Sequence, residues 1–251
     1  MKSGYEKTPI DIAMTAVLRP ALLNGTLKTI IKYVVDDVNR FRLILNIDSV
    51  GENVHPSKVI EVAKKHFPNI VYNIAREPSF PKAVKWVWSQ TTAPYVFHWE
   101  DDVDILRKIN INKMVQILES NPKMSSLRLY KGRTPPNKKW MTTFLCRWVY
   151  NDDGFYLAKD WKKQFGLNPI LIKKQFIDEA IVCMRDDINP EKQFRSSQAF
   201  MNSVIKKWEY AIFANPGESR IIDGRKGQAW KDKMGFQKPK GETFLKWKEQ
   251  L

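Results

Sequence analysis

Apolar residues in the first hundred positions alternate between unbroken runs, as buried strands require, and runs recurring every three to four residues, as helices require. Ile10–Leu18 (IDIAMTAVL) is nearly continuous in apolar character and predicts a strand covered on both faces. Pro20 suits the first turn of a helix, and Leu22, Leu23, Leu27, Ile30, Ile31 and Val34 follow it at helical spacing. Residues 41–47 (FRLILNI) predict a second strand, ended by Asp48-Ser49-Val50-Gly51. Residues 56–67 predict an amphipathic helix with Val59, Ile60, Val62 and Ala63 inward, and 70–74 a third strand. A third helix over 81–90 and a fourth strand over 94–99 complete the series. Each strand-helix unit takes about thirty residues, the size of a βαβ crossover, so the expected fold class is α/β with a mostly parallel sheet flanked by helices.

The second half is less regular. A helix is expected over 112–119, a strand over 124–130, and a basic, proline-containing loop over 131–140 (KGRTPPNKKW). Strands over 141–150 and 154–157 flank an Asn151-Asp152-Asp153 turn. Asn189-Pro190-Glu191 supplies a cap, a first-turn proline and an acid, predicting a helix that runs to about Trp208. With no repeat, low-complexity tract or linker, residues 1–251 are expected to form a single domain.

Composition narrows the setting. The 251 residues are 43% hydrophobic, enough to fill a sizeable core. No apolar run of about 18 residues predicts a transmembrane helix, and MKSGYEKTPID lacks the apolar core of a signal peptide. Cys146 and Cys183 stand far apart and outside any CxxC pattern, which fits a reduced, cytoplasmic setting and argues against structural zinc. Lys and Arg total 42 against 27 Asp and Glu, a net charge of +15. Such an excess favours a polyanionic partner: nucleic acid, an acidic glycan or an anionic membrane surface. A merely solvated basic face is the alternative.

The strongest chemical signal is PYVFHWEDDVD, residues 94–104, a strand that delivers Glu100, Asp101 and Asp102 and then Asp104. Adjacent carboxylates repel, and a hard divalent cation such as Mg²⁺ or Mn²⁺ relieves that repulsion with oxygen ligands from carboxylates and phosphates. Ligands in open α/β sheets bind beyond the carboxyl ends of strands, where this run and Asp48 both fall. The competing reading is an acidic cap on a following helix. His55, His66 and His98 lack HExxH spacing; His98, next to the acids, either approaches the metal or, the favoured reading, packs in the strand.

A strand of this form after three βα units resembles the DxD-type motif of GT-A glycosyltransferases. The resemblance extends over roughly residues 10–225. It implies that Asp102 binds the metal, with Asp101 and Glu100 contacting sugar, ribose or metal-bound water. IDIAMTAVLRP is similar to the family's first strand, which implies a nucleotide pocket around Thr15, Val17 and Arg19, with Asp48 facing base or ribose. Phe165-Gly166-Leu167-Asn168-Pro169 resembles an acceptor-side segment, and Asn189-Pro190-Glu191-Lys192-Gln193-Phe194 resembles the helix start whose acid, here Glu191, serves inverting members as base. A first-turn structural Glu is the other reading of Glu191. Ile221-Ile222-Asp223-Gly224 falls where many members have a His-containing motif, so Asp223 is either a substitute metal ligand or a turn acid.

The resemblance implies a GT-A domain with a nucleotide-sugar-binding half at 1–104 and an acceptor-side half with a basic tail at 105–251. It further implies Mn²⁺ or Mg²⁺, a nucleotide-sugar donor with UDP-sugars favoured, and hexosyl transfer to a hydroxyl. The charge directs the acceptor expectation to hydroxymethylated pyrimidines in DNA, in the host cytoplasm if the chain is phage-encoded. Lipopolysaccharide or capsule synthesis at a membrane surface, and a non-catalytic nucleic-acid-binding protein, are the alternatives. Oligomeric state is not legible.

Overall fold

β1 (Ile10–Leu18) is buried along its whole length, and both flanks are parallel strands: β2 (Phe41–Gly51) and β4 (Tyr95–Glu100). In the computed structural model, residues 7–131, 140–143, 146–159, 165–167, 169–194, 198–218 and 221–234 are described. β3 (Ile70–Ala75) pairs parallel with β2 at the sheet's edge. The chain therefore winds outward from β1 through β2 to β3 and returns to β4 on the other flank of β1. This reversal of strand order opens a crevice at the carboxyl ends of β1 and β4.

The crossover helices are α1 (Pro20–Tyr33), α2 (Ser57–His66) and α3 (Phe80–Ser89). Leu23, Leu27 and Ile30 of α1 and Val59, Ile60 and Ala63 of α2 pack with Ile10, Ile12 and Met14 on one face of the sheet. Val84, Val87 and Trp88 of α3 pack with Ala13, Ile44 and Val96 on the other. Burial of each large aliphatic side chain contributes about 1.5–3 kcal/mol, so the period-3.6 stripes hold both layers against the sheet.

The rest of the chain extends the same sheet. β4 leads through β5 (Asp104–Ile105) to α4 (Ile111–Ser120) and β6 (Met124–Leu129). β7 (Trp140–Thr143), β8 (Cys146–Asn151) and β9 (Phe155–Ala158) form an antiparallel set. β10 (Ile170–Lys173) returns to lie between β4 and β6, antiparallel to both, and α5 (Lys174–Cys183) packs beside α3. α6 (Pro190–Gln193), α7 (Asn202–Lys207), β11 (Glu209–Phe213), β12 (Ile222–Asp223) and α8 (Arg225–Lys233) follow. Among the described residues the sheet order is β3-β2-β1-β4-β10-β6-β11-β9-β8-β7, with β12 and β5 as a separate antiparallel ribbon. No helix among the described residues is long and apolar enough to cross a membrane.

Two expectations from periodicity differ from the structure. The single helix expected over 189–208 is two short ones. Gln193 turns its side chain back to the Arg185 amide and to the Arg185 and Ile188 carbonyls, and Phe194 is buried, which ends α6. The strand expected over 141–150 is two strands, β7 and β8, that pair with Thr143 opposite Cys146. Most of the basic 131–140 loop, and Lys238 and Lys240 of the tail, lie outside the described residues.

At the amino-terminal ends of the strands Asp11 is 2% exposed and fully satisfied. It accepts from Arg42 Nε and Nη2 at 2.9 and 2.8 Å and from the Thr92 and Ala93 amides at 2.7 and 2.9 Å. Asp11→Ala strips these donors of their partner, and loss of one member of a buried ion pair costs about 3–5 kcal/mol. Urea unfolding of the variant should show a loss of that size; a loss under about 1 kcal/mol would contradict the assigned network.

Candidate functional site

The crevice is built from the carboxyl ends of β1, β2 and β4. Thr15 stands in register with Asn46 on one side and Glu100 on the other, and Val17 stands opposite Asp48. The sheet therefore brings four of the expected site residues to one level. β1 and β2 slip register between Val17 and Leu18, and Leu18 then pairs with Gly51. Gly51 has φ +135°, and a β-carbon there would stand 2.6 Å from the Leu18 carbonyl oxygen, so only glycine fits this close approach.

Beyond Leu18 the chain turns into α1, and Arg19 swings under the acidic triplet. Its Nε donates to Asp101 Oδ2 at 2.9 Å, and its Nη2 bonds Asp101 Oδ1 and lies 3.1 Å from Asp102 Oδ2. Val17 donates its amide to Asp101 Oδ2 at 3.1 Å. The Asp101 amide donates to the Thr15 carbonyl at 3.2 Å, and the Thr26 hydroxyl donates to the Asp101 carbonyl at 2.9 Å. Asp101 thus clasps β1, β4 and α1 together, with both its oxygens committed to Arg19 and Val17. Burial opposes the charge on Arg19, but Asp101, Asp102 and Glu100 hold the guanidinium protonated far above its ordinary range.

The other acids have distinct surroundings. Burial, reinforced by Asp102 and Glu191 and opposed by Lys131 and Lys231, pushes Glu100 up to about 8. The charge of Glu191 therefore acts at the triplet, although 90 residues separate it from Asp101 in sequence. Glu191 itself is exposed on α6, its amide capped by Asn189 Oδ1 at 2.9 Å. Asp104 accepts from Thr26 at 3.3 Å and ion-pairs with Lys226. Asp223 pairs with Asp104 across the β12–β5 ribbon, and its carboxylate receives Arg225 Nε at 2.8 and 3.0 Å. His98 is fully buried, accepts from Trp88 Nε1 at 3.2 Å, and is pushed down to about 3 by burial, so it is a neutral core residue.

Asp48 closes the crevice on the β2 side. Its oxygens accept from Asn46 Nδ2 at 2.9 Å and from the Ser79 amide at 3.1 Å, while Asn73 Nδ2 donates to Asn46 at 2.7 Å. Burial raises Asp48 to about 6 despite these hydrogen bonds, with Asp101 adding to the rise. Asn46, Asn73, Ser79 and Thr26 were not legible as site residues, since isolated polar residues at strand ends and in helices carry no periodic signal. α8 was not legible as a helix, although Arg225 and Lys226 at its start read as cations for a leaving diphosphate or as solvated surface; it lies over the crevice, where Gly227 sits against Asp102 and Arg19 Cζ is 5.1 Å from the centre of the Trp230 ring. Among the described residues no group of three or more His, Cys, Asp or Glu side chains is gathered to hold a metal. The oxygen donors suited to one are Asp102 and Glu100.

No protein-family model matches the sequence, and no curated protein matches it. Solved structures do. The S. aureus TarS 1-349 structure aligns with TM-score 0.55 and 9% identity, covering 86% of this chain and 60% of that one. The same protein in complex with UDP-GlcNAc aligns with TM-score 0.55 and 10% identity, over 86% and 58%. The mannosyltransferase PcManGT from Pyrobaculum calidifontis, in complex with GDP-Man and Mn²⁺, aligns with TM-score 0.55 and 14% identity, over 82% and 54%. The chain thus spans between half and two thirds of the length of these proteins. The expected GT-A-like fold is that of these glycosyltransferase structures.

Asp48 gives a test of the site's electrostatics. Its carboxyl binds its proton more tightly folded than unfolded, so stability is lost as pH rises from about 4 to about 6. Asp48→Asn loses a hydrogen bond at every pH but cannot ionise. The stability gap between wild type and variant should therefore narrow over this window, by at most about 3 kcal/mol. Chemical denaturation across pH 4–7 measures it; a gap that widens over that window would contradict the assignment.

Proposed function

We propose that this chain is a glycosyltransferase that moves a sugar from a nucleoside-diphosphate donor, a UDP-sugar by preference, to an acceptor hydroxyl. The observation that carries the reading is the convergence of Glu100, Asp101 and Asp102 with Thr15, Val17 and Asp48 at the reversal of strand order, where such folds bind ligands. The glycosyltransferase structures of the same fold support it. In this reading Thr15, Val17 and Asp48 line the nucleotide pocket, and Arg19 supplies positive charge beside the diphosphate.

Mn²⁺ or Mg²⁺ belongs to the proposal. Asp102 and Glu100 offer the one or two hard oxygen ligands that such ions combine with substrate phosphates. Asp223 is the further candidate, though Arg225 already engages its carboxylate. A bound ion would neutralise charge developing on the diphosphate as it leaves.

Glu191 is the proposed general base. As the bond between the anomeric carbon and the donor phosphate oxygen breaks and the bond to the acceptor oxygen forms, Glu191 takes the acceptor's hydroxyl proton. Its exposure suits an acceptor arriving from solvent, and its charge already acts on Glu100. The proposed acceptor is DNA bearing hydroxymethylated pyrimidines, supported by the net charge of +15.

Three measurements test these assignments. Asp102→Asn should abolish transfer and metal-dependent UDP binding in calorimetry without altering the fold; wild-type values for both would remove Asp102 from the metal site. Glu191→Gln should lower kcat by about 10²- to 10⁴-fold with little change in donor binding, because a general base acts in the chemical step. An unchanged kcat would assign the base elsewhere. Duplex DNA containing 5-hydroxymethylcytosine or 5-hydroxymethyluracil, incubated with a UDP-sugar panel, should yield a base heavier by one hexose in mass spectrometry. Transfer to a bacterial surface glycan with no DNA product would reject the DNA acceptor and leave sugar transfer standing.

A further inference from the structure

α8 lacks the apolar stripe that anchors the other helices. Gly227 is its one buried residue, and its contacts with the crevice are polar. Lys226, Gly227, Trp230 and Lys231 recur at one-turn spacing and so share a face. That face covers the acidic triplet. Lys226 ion-pairs with Asp104, and the charge of Lys231 reaches Glu100. Trp230 lies over the Arg19 guanidinium and donates its Nε1 to Glu52 at 2.9 Å. A β-carbon on Gly227 would stand 1.7 Å from Asp102 Oδ2, so the helix backbone rests directly on that carboxylate.

Beneath this face Arg19 is 4% exposed, and its Nη1 is buried without a hydrogen-bond partner. An unmet guanidinium N–H in a buried site is costly, and native structures seldom leave one without a reason. With α8 down, Gly227 leaves no room at Asp102 Oδ2 and Arg19 Nη1 is sealed from solvent. Neither a phosphate nor a cation reaches these groups. A nine-residue helix without an apolar stripe, whose ties to the crevice include a solvent-screened ion pair, a stacked ring and the Trp230–Glu52 hydrogen bond, is also the kind of element that detaches at low cost, since short helices are marginal alone and partly exposed ion pairs are screened by salt.

We propose that α8 is a displaceable cover on the donor site, and that Arg19 Nη1 is the group that receives a phosphate oxygen of the donor when the cover lifts. The inference rests on the nucleotide-sugar reading. Arg19 is fixed for this role because Asp101 grips its Nε and Nη2 and leaves Nη1 as the remaining donor. In the covered state Lys226 pairs with Asp104, and the charge of Lys231 acts on Glu100.

Hydrogen exchange of residues 225–233 and calorimetric titration with UDP, with and without Mn²⁺, test the proposal on the whole chain. In the wild type, UDP should speed exchange in α8 at least tenfold. Gly227→Ala, whose added methyl cannot fit against Asp102, should show that fast exchange without nucleotide and bind UDP at least threefold more tightly. Arg19→Lys keeps a positive charge but loses the guanidinium fork, and should bind UDP at least tenfold more weakly. UDP binding to the wild type with α8 exchange unchanged, together with unchanged affinity in Gly227→Ala, would overturn the cover and leave sugar transfer intact. No binding of UDP or GDP to wild type or Gly227→Ala would overturn the nucleotide-sugar reading, and with it the ligand assigned to Arg19.

Discussion

The buried pair of Arg19 and Asp101 is the constraint on which the candidate site depends. A carboxylate at the end of β4 sits beside two others, and without a cation the three could not all remain charged in a crevice. Arg19 lessens that repulsion from the end of β1, through two hydrogen bonds to Asp101 and close approach to Asp102, while Glu100 is still pushed up to about 8. The same contact fixes the turn from β1 into α1 and seats Thr26 on the Asp101 carbonyl. Fold and site therefore share one electrostatic lock, and removal of either partner would leave an uncompensated buried charge.

With Asp101 committed to Arg19, the triplet divides its work. Asp102 lies against Gly227 of α8, and Glu100 stands within the influence of Glu191, Lys131 and Lys231. Asp48 stands on the far side of β1, held by Asn46 and Ser79. The result is a crevice with a fixed cation at its floor, acids at its walls and a polar helix across its mouth. Such a site is suited to a ligand that carries both negative phosphates and hydroxyls, as a nucleotide sugar does.

Periodicity made the first half of the fold legible. β1 is long and buried on both faces, and the stripes of α1, α2 and α3 match their cores closely, so elements through β4 were readable to within a few residues. The second half resisted because its strands are short and their pairing is non-local. β10 is four residues long and inserts between β4 and β6, a placement that no local pattern encodes. Glu100, Asp101 and Asp102 were visible as a strand-end acidic run. The commitment of Asp101 to Arg19, 82 residues away, was not. Arg225 and Lys226 could be read as cations near a diphosphate, but α8 as a helix over the site could not, because its docking face is polar and contains glycine.

The central claim is that the crevice at the ends of β1, β2 and β4 binds a nucleotide sugar. Amide and guanidinium NMR shifts during titration with UDP-GlcNAc and Mn²⁺ test it most directly. Saturable changes at Thr15, Val17, Asp48, Asp102 and the Arg19 Nε–H are the predicted result. Changes confined to the opposite end of the sheet, around Asp11, Arg42 and Thr92, or no change at any nucleotide sugar tried, would contradict it.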